Sequence, residues 1–338
     1  MRSGVRLTRR VGVAICATLL VVCAWTSVAA AATWELLSPS PPGSFDSRNL
    51  EQFASEVEQA TAGALRISIL ADPARLDGRQ IRRGVAVGRA PAGQFLLSDL
   101  RDEDAAFEVD SVPFLATDYH EALRLWDASR AVLRSMLEAR GLHTVFVVAT
   151  PPRGMFAVKE VTDLDDLRGI RLRDDDPLIH RLAILANAVP TAAPGTMTEA
   201  FAGGQIDAAI SSLPAGAAEQ VWRAATEYYD LRVALPKSVV VFNKAAYGSL
   251  DPETQRAVLN AAIGAQNRGW QASASANNEA MDELLARGMS IAAADPKLLA
   301  ELREIGSRMA EEWERRSGPD GQRIMRAYKQ AGQSSVGR

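Results

Sequence analysis

Asp251-Pro252-Glu253 opens the longest uninterrupted helical pattern in the chain. An aspartate N-cap, a proline at the first helical position and an acid in the first turn start a helix strongly. Little interrupts the pattern until Gly288, apart from Gly264 and Gly269. A helix of about 35 residues is roughly 50 Å long. That is longer than one small domain, so the helix is expected to span two. Short apolar runs alternate with helical segments around it. Trp34–Ser38, Leu65–Leu70, Phe95–Leu97 and Thr144–Ala149 read as strands, as do Ile170–Arg173, Ile206–Ile210 and Val239–Phe242. Between them fall a helix from Asp46, a helix over Tyr119–Arg140 and a short helix opened by a Thr196/Glu199 capping box. Thr162 with Asp165 resembles a second capping box, and the last amphipathic helix runs near Leu298–Arg316. This alternation predicts an α/β fold with mostly parallel sheets flanked by helices.

The N-terminus adds a compartment. Arg2, Arg6, Arg9 and Arg10 precede an apolar run from Val11 to about Trp25, and small residues follow from Ser27 to Ala32. This is the layout of a secretory signal peptide. An apolar stretch of about 15 residues is short for a membrane span, which needs roughly 20. Cleavage is expected near Ala31 or Ala32, with the periplasm as destination. Both cysteines, Cys16 and Cys23, lie inside the signal. The mature chain is therefore expected to hold no disulfide, thiolate metal site or cysteine nucleophile. Removing the four signal arginines leaves 34 basic residues against 41 acidic ones, a net charge near −7. Nucleic-acid binding wants a basic face, so that partner is not expected. A mature length of about 300 residues exceeds what one core usually holds and implies two domains.

Catalytic constellations are missing from the sequence. His120, His143 and His180 show no metal-ligand spacing, and no nucleophile elbow, dinucleotide fingerprint or phosphate loop occurs. Neither a metal nor another cofactor is expected, and neither is an enzyme. Asp174-Asp175-Asp176 reads as a solvated loop that could neutralise Arg168 and Arg171. Two arginines stand out for binding. Arg173 ends the strand Ile170–Arg173, and ligands of open α/β sheets sit just outside strand C-termini. Its planar fork matches a carboxylate, although spacing alone fits a surface salt bridge as well. Arg153 follows the strand Thr144–Ala149 and two stiffening prolines.

Five segments in order then resemble one family. They are FASEVEQATAGALRISI (Phe53 to Ile69), VDSVPFLATDYHEA (Val109 to Ala122), DLRGIRLR (Asp166 to Arg173), AFAGGQIDA (Ala200 to Ala208) and LDPETQ (Leu250 to Gln255). The chain is similar over nearly its whole mature length to the extracytoplasmic solute-binding proteins of TRAP transporters, the DctP type. The resemblance implies a periplasmic-binding-protein-like fold of two α/β domains around a cleft, closing by hinge bending. It implies an expected division into a signal (1–32), domain I (33–150 plus 239–278) and domain II (151–238 plus 279–338). It also implies capture of a small carboxylate, here an organic acid, and delivery to integral membrane subunits of the transporter. The carboxylate anchor falls on Arg173, with Arg153 as a second contact. The family often has an Asn-Pro pair where this chain reads Ser211-Ser212 and Leu213-Pro214, so Ser211 and Ser212 are expected polar contacts. Trp222, Tyr228 and Tyr229 follow closely, and each suits a pocket wall or the core; Trp222 is taken as a pocket candidate. A monomer is expected. The rival readings are the binding protein of an ATP-driven importer, a sensory receptor that binds without delivering, and a periplasmic hydrolase.

Overall fold

The structure is a computed structural model that describes residues 32–72 and 76–336. The signal segment read above lies outside these residues. The chain opens with β1 (Ala32–Ser38), α1 (Phe45–Ala60), β2 (Leu65–Ala71), α2 (Gly78–Ala86) and β3 (Ala92–Leu96). α3 (Tyr119–Glu138) and β4 (Leu142–Ala149) complete the first stretch. A second stretch follows: β5 (Arg153–Ala157), β6 (Arg171–Arg173), α4 (Pro177–Leu185), β7 (Val189–Thr191), α5 (Met197–Ala202), β8 (Ala208–Ser212), α6 (Leu213–Ala218) and β9 (Glu227–Tyr229). The chain ends with β10 (Lys237–Asn243), α7 (Lys244–Gly248), α8 (Pro252–Ala286), β11 (Ser290–Ala292), α9 (Pro296–Arg316) and α10 (Gly318–Val336).

Two sheets result, ordered β2-β1-β3-β10-β4 and β11-β9-β5-β8-β6-β7. Each contains one reversed strand. β10 runs antiparallel to both its neighbours, and so does β5. These are the strands by which the chain passes from one sheet to the other. The two passages lie side by side. Thr150 N–H donates to Pro236 O (2.8 Å), Arg153 N–H to Ala234 O (3.0 Å) and Val233 N–H to Arg153 O (2.7 Å).

The central strands are continuously apolar because both faces of each sheet are covered. In β10, Val239 and Val241 join a core with Leu125, Leu133 and Phe107. Val240 and Phe242 join the opposite core with Leu36, Phe53 and Val258. Met155 and Phe156 of β5 likewise enter different cores on the two faces of the second sheet.

The 35-residue α8 is the long helix read from the sequence, and Asp251 caps it through Glu253 N–H and Thr254 N–H. It also covers an exposed sheet edge. Gln266 Oε1 accepts Val147 N–H (3.2 Å) and Trp270 Nε1–H donates to Val147 O (2.9 Å), which satisfies the free edge of β4. Gly269 permits that approach, since a Cβ there would lie 2.4 Å from Val148 Cγ2.

Two local expectations change. Asp166 rather than Asp165 partners Thr162, accepting both its N–H and its hydroxyl at 2.8 Å. α9 is not the last helix: Gly318, at φ 60°, ends one helix and Pro319 suits the first turn of the next. The core residues Ile324, Met325 and Tyr328 of α10 pack with the first sheet's core, as does Trp313 near the end of α9. Leu298, Leu302, Ile305 and Met309, earlier in α9, belong to the second sheet's core. Thus α9 also passes from one half to the other.

Candidate functional site

The C-terminal ends of β1 and β3 face the crossing strands and the start of β5. A cavity of about 370 Å³ lies there. One wall comes from the segment after β3, with Ser98, Asp99 and Arg101. Thr150 and Pro151 of the first passage form its middle. Arg153, Asp175, Asp176, Ser211 and Ser212 form the opposite wall. A second cavity of about 580 Å³ shares Thr150, Pro151, Ser212 and Ala215 with it and extends toward Pro41, Phe45 and Ala280.

Arg153 is the first residue of β5 and pairs in register with Ser212, while Gly154 pairs with Ser211. This antiparallel pairing brings an arginine and two hydroxyls to one edge. Gly154 is required by the core beneath, because a Cβ there would be 2.4 Å from the Tyr228 ring. The Arg153 guanidinium lines the cavity with no hydrogen-bond or ion-pair partner among the described residues. Ser212 Oγ accepts Ala215 N–H (3.4 Å) as the N-cap of α6, and Ser211 stands on the same wall.

Arg173 sits beside the cavity rather than in its lining. Its Nη2 donates to Gly195 O (2.8 Å), and its Nε lies 3.7 Å from Asp175 Oδ2. That Nε is buried and has no hydrogen-bond partner among the described residues. Arg171, two residues earlier, forms a fork with Asp207 at 2.7 and 2.9 Å. The hydrogen bonds from Arg171 draw the Asp207 carboxyl down to about 2. The Asp174–Asp176 loop therefore does not neutralise Arg168 and Arg171, because Arg168 pairs with Asp165. Asp174 bonds His180 Nδ1 (2.7 Å) instead. Asp176 caps α4 through Leu178 N–H (2.8 Å) and meets Arg101 across the cavity at 3.4 Å. That ion pair bridges the two walls, with side chains 13% and 14% exposed.

Trp222 lines neither cavity. It packs on the second sheet's core with the Arg287 guanidinium 4.8 Å from its ring centre. Tyr228 and Tyr229 are core residues, and the Tyr229 hydroxyl accepts Val161 N–H (2.8 Å). His143 stacks on Tyr247 at 4.0 Å. No group of acids and histidines that could hold a metal occurs among the described residues, and no described helix is long and apolar enough to cross a membrane.

Sequence reasoning did not name the first wall. Ser98, Asp99 and Arg101 follow the end of β3, and Ser40 and Asp46 follow the end of β1. The strand-end rule that selected Arg173 applies to these positions equally. Asp46 is notable there: burial raises its carboxyl to about 6, against the opposing hydrogen bonds of Ser40 and Gln94.

The profile of bacterial extracellular solute-binding protein, family 7, matches residues 39–316. The chain belongs to that family. Among solved structures it is similar to the Bordetella pertussis extracytoplasmic solute receptor DctP7, at 37% identity and a TM-score of 0.83, covering 88% of this chain and 100% of that one. It is also similar to DctP6 of the same organism, at 32% identity and a TM-score of 0.84 over the same shares. A TRAP solute-binding protein from an unidentified marine microbe matches at 30% identity and a TM-score of 0.82, covering 89% of this chain and 99% of that one. The two Bordetella receptors bind pyroglutamic acid, and the marine protein was solved in complex with co-purified pyroglutamate. This chain is accordingly an extracytoplasmic solute-binding protein of a TRAP-type transporter, which captures a small carboxylate and works with membrane permease subunits. It is a receptor and not an enzyme.

Proposed function

We propose that the solute is pyroglutamate or a closely similar small cyclic acid, bound in the 370 Å³ cavity with its carboxylate on Arg153. The unpartnered Arg153 guanidinium carries this reading. It is a cation held at a cavity wall beside hydroxyls, with no hydrogen-bond or ion-pair partner among the described residues. A carboxylate there gains charge-assisted, paired hydrogen bonds. The buried Nε of Arg173 offers a further donor from behind. Three relatives at 30–37% identity bind this solute.

The same reading divides the mature chain into two lobes that close on the solute. The first holds 33–150, 239–278 and the C-terminal helix 318–336; the second holds most of the rest. The hinge lies in the paired passages near 150–153 and 233–237, in the end of α8 and in α9. Ser211 and Ser212 contribute polar contacts, while Trp222 supports the second lobe from outside the site. The receptor acts as a monomer, released by cleavage near Ala31 or Ala32.

Titration calorimetry with pyroglutamate tests the anchor. Arg153→Ala is expected to weaken binding by about 100-fold or more, since it removes two hydrogen bonds to a charged group. Arg173→Ala is expected to weaken it less. Unchanged affinity in a folded Arg153→Ala protein would remove Arg153 from the site.

A further inference from the structure

We infer that Asp175 reads the nitrogen of the solute, its carboxylate accepting the ring N–H that lies next to the solute's own carboxylate. This rests on the solute reading above. In pyroglutamate the carboxylate and the lactam N–H hang from the same ring carbon. An acid carboxylate anchored on an arginine therefore presents an N–H donor to whatever stands beside that arginine. The site must supply an acceptor there, or leave the donor unpaired on closure.

The acids on the cavity wall differ in how far their oxygens are already committed. Asp99 Oδ2 accepts Leu96 N–H at 3.0 Å. Asp176 accepts Leu178 N–H with one oxygen and pairs with Arg101 through the other. Asp175 takes a hydrogen bond only from its own backbone N–H and otherwise has charge contacts. Its Oδ2 lies 3.7 Å from Arg173 Nε, beyond hydrogen-bond reach, and the charge of Arg153 acts on it as well. It thus lies beside Arg173 and on the same cavity wall as Arg153 with acceptor capacity to spare, and its side chain is 52% exposed. Burial raises the Asp175 carboxyl, and the charges of Arg173 and Arg153 oppose that rise, which favours its acceptor-only form. Asp175 is then held for its role by Arg173 without being consumed by it.

The consequence is discrimination. An acceptor-only carboxylate attracts a ring N–H and repels a ring oxygen at the same position. The lactone with the same ring size, stereochemistry and carboxylate has that oxygen. Wild-type protein is expected to prefer pyroglutamate over this lactone by about tenfold or more, the scale of one hydrogen bond to a charged group. Asp175→Ala is expected to lose most of that preference by binding pyroglutamate more weakly. Asp175→Asn, whose amide can accept from N–H or donate to the ring oxygen, is expected to narrow the preference by binding the lactone better.

The test is calorimetric titration of wild type, Asp175→Ala and Asp175→Asn with both acids, with melting temperatures confirming that each variant is folded. A preference that collapses in Asp175→Ala supports the inference. An unchanged preference overturns it while leaving the solute reading intact. So does a uniform gain in affinity for both acids, which would make Asp175 a competitor for the anchors. A wild-type protein that binds neither acid overturns the solute reading, and this inference with it.

Discussion

Removing Lys237 should destabilise the protein more than its lack of any solute contact suggests. Lys237 begins β10, at the end of the second passage between the sheets. Its side chain is 2% exposed and that of Asp110 is 1% exposed. The ammonium lies 4.0 Å from Asp110 Oδ2 and has no hydrogen-bond partner among the described residues. At that separation two charges attract by about 4 kcal/mol at an effective dielectric of 20. Asp110 is anchored further by Lys237 N–H (2.9 Å) and the Ser111 hydroxyl (3.2 Å). Burial pushes the Asp110 carboxyl up and the Lys237 ammonium down, and each charge opposes the other's shift. Lys237→Met therefore leaves a buried carboxylate without its cation, which costs about 3–5 kcal/mol. At roughly 2.1 cal/mol/K per residue, a chain of about 300 residues should melt about 5–8 °C lower. Asp110→Asn should be similarly harmful. The double variant should be less harmful than the sum of the two, because no charge is stranded. Calorimetric melting of the four proteins measures the coupling. Additive losses, or a Lys237→Met protein as stable as wild type, would refute the claim that this pair is held together by mutual charge compensation.

Two further outcomes follow from the same structure. Gly264→Ala should leave stability unchanged or raise it by about 0.5–1 kcal/mol, because the nearest atom to a new Cβ is 3.9 Å away. Gly269→Ala should instead lose about 1–3 kcal/mol through the clash with Val148; denaturant unfolding distinguishes the two. Asp46 gives a pH dependence. Its folded carboxyl is raised to about 6 from 3.8, so the folded state holds the proton more tightly than the unfolded chain. Wild type should then lose stability relative to Asp46→Asn as pH rises from about 3.8 to about 6, and the gap should stay constant above. A flat difference across that window would contradict it.

What was legible in the sequence follows from the strength of local signals. Asp251-Pro252 fixed the start of α8 because cap, proline and acid coincide, and the pattern tolerated Gly264 and Gly269. The same Asp-Pro signal stands at Asp176-Pro177 and Asp295-Pro296, where it opens α4 and α9. Strands buried on both faces were visible as apolar runs, except β5, whose Arg153-Gly154 start leaves only three apolar residues. β7, β9 and β11 were not, since three residues with one proline among them carry no period. α10 was hidden by Gly318-Pro319, which looks like an ending and is also a beginning. For the site, strand ends pointed to Arg153 and Arg173, and register explains why Ser211 and Ser212 stand with Arg153. The wall from Ser98 to Arg101 was missed because its residues adjoin a strand whose end was set one residue too late. Trp222 is close in sequence to Ser212, but the intervening α6 carries it away from the cavity.

The measurement that bears most directly on the account is calorimetric titration of the ligand-free exported protein with pyroglutamate. A single saturating transition with one solute per chain is the result the account requires. Absence of any heat or melting shift, in protein shown to be folded and free of carried-over ligand, would contradict it.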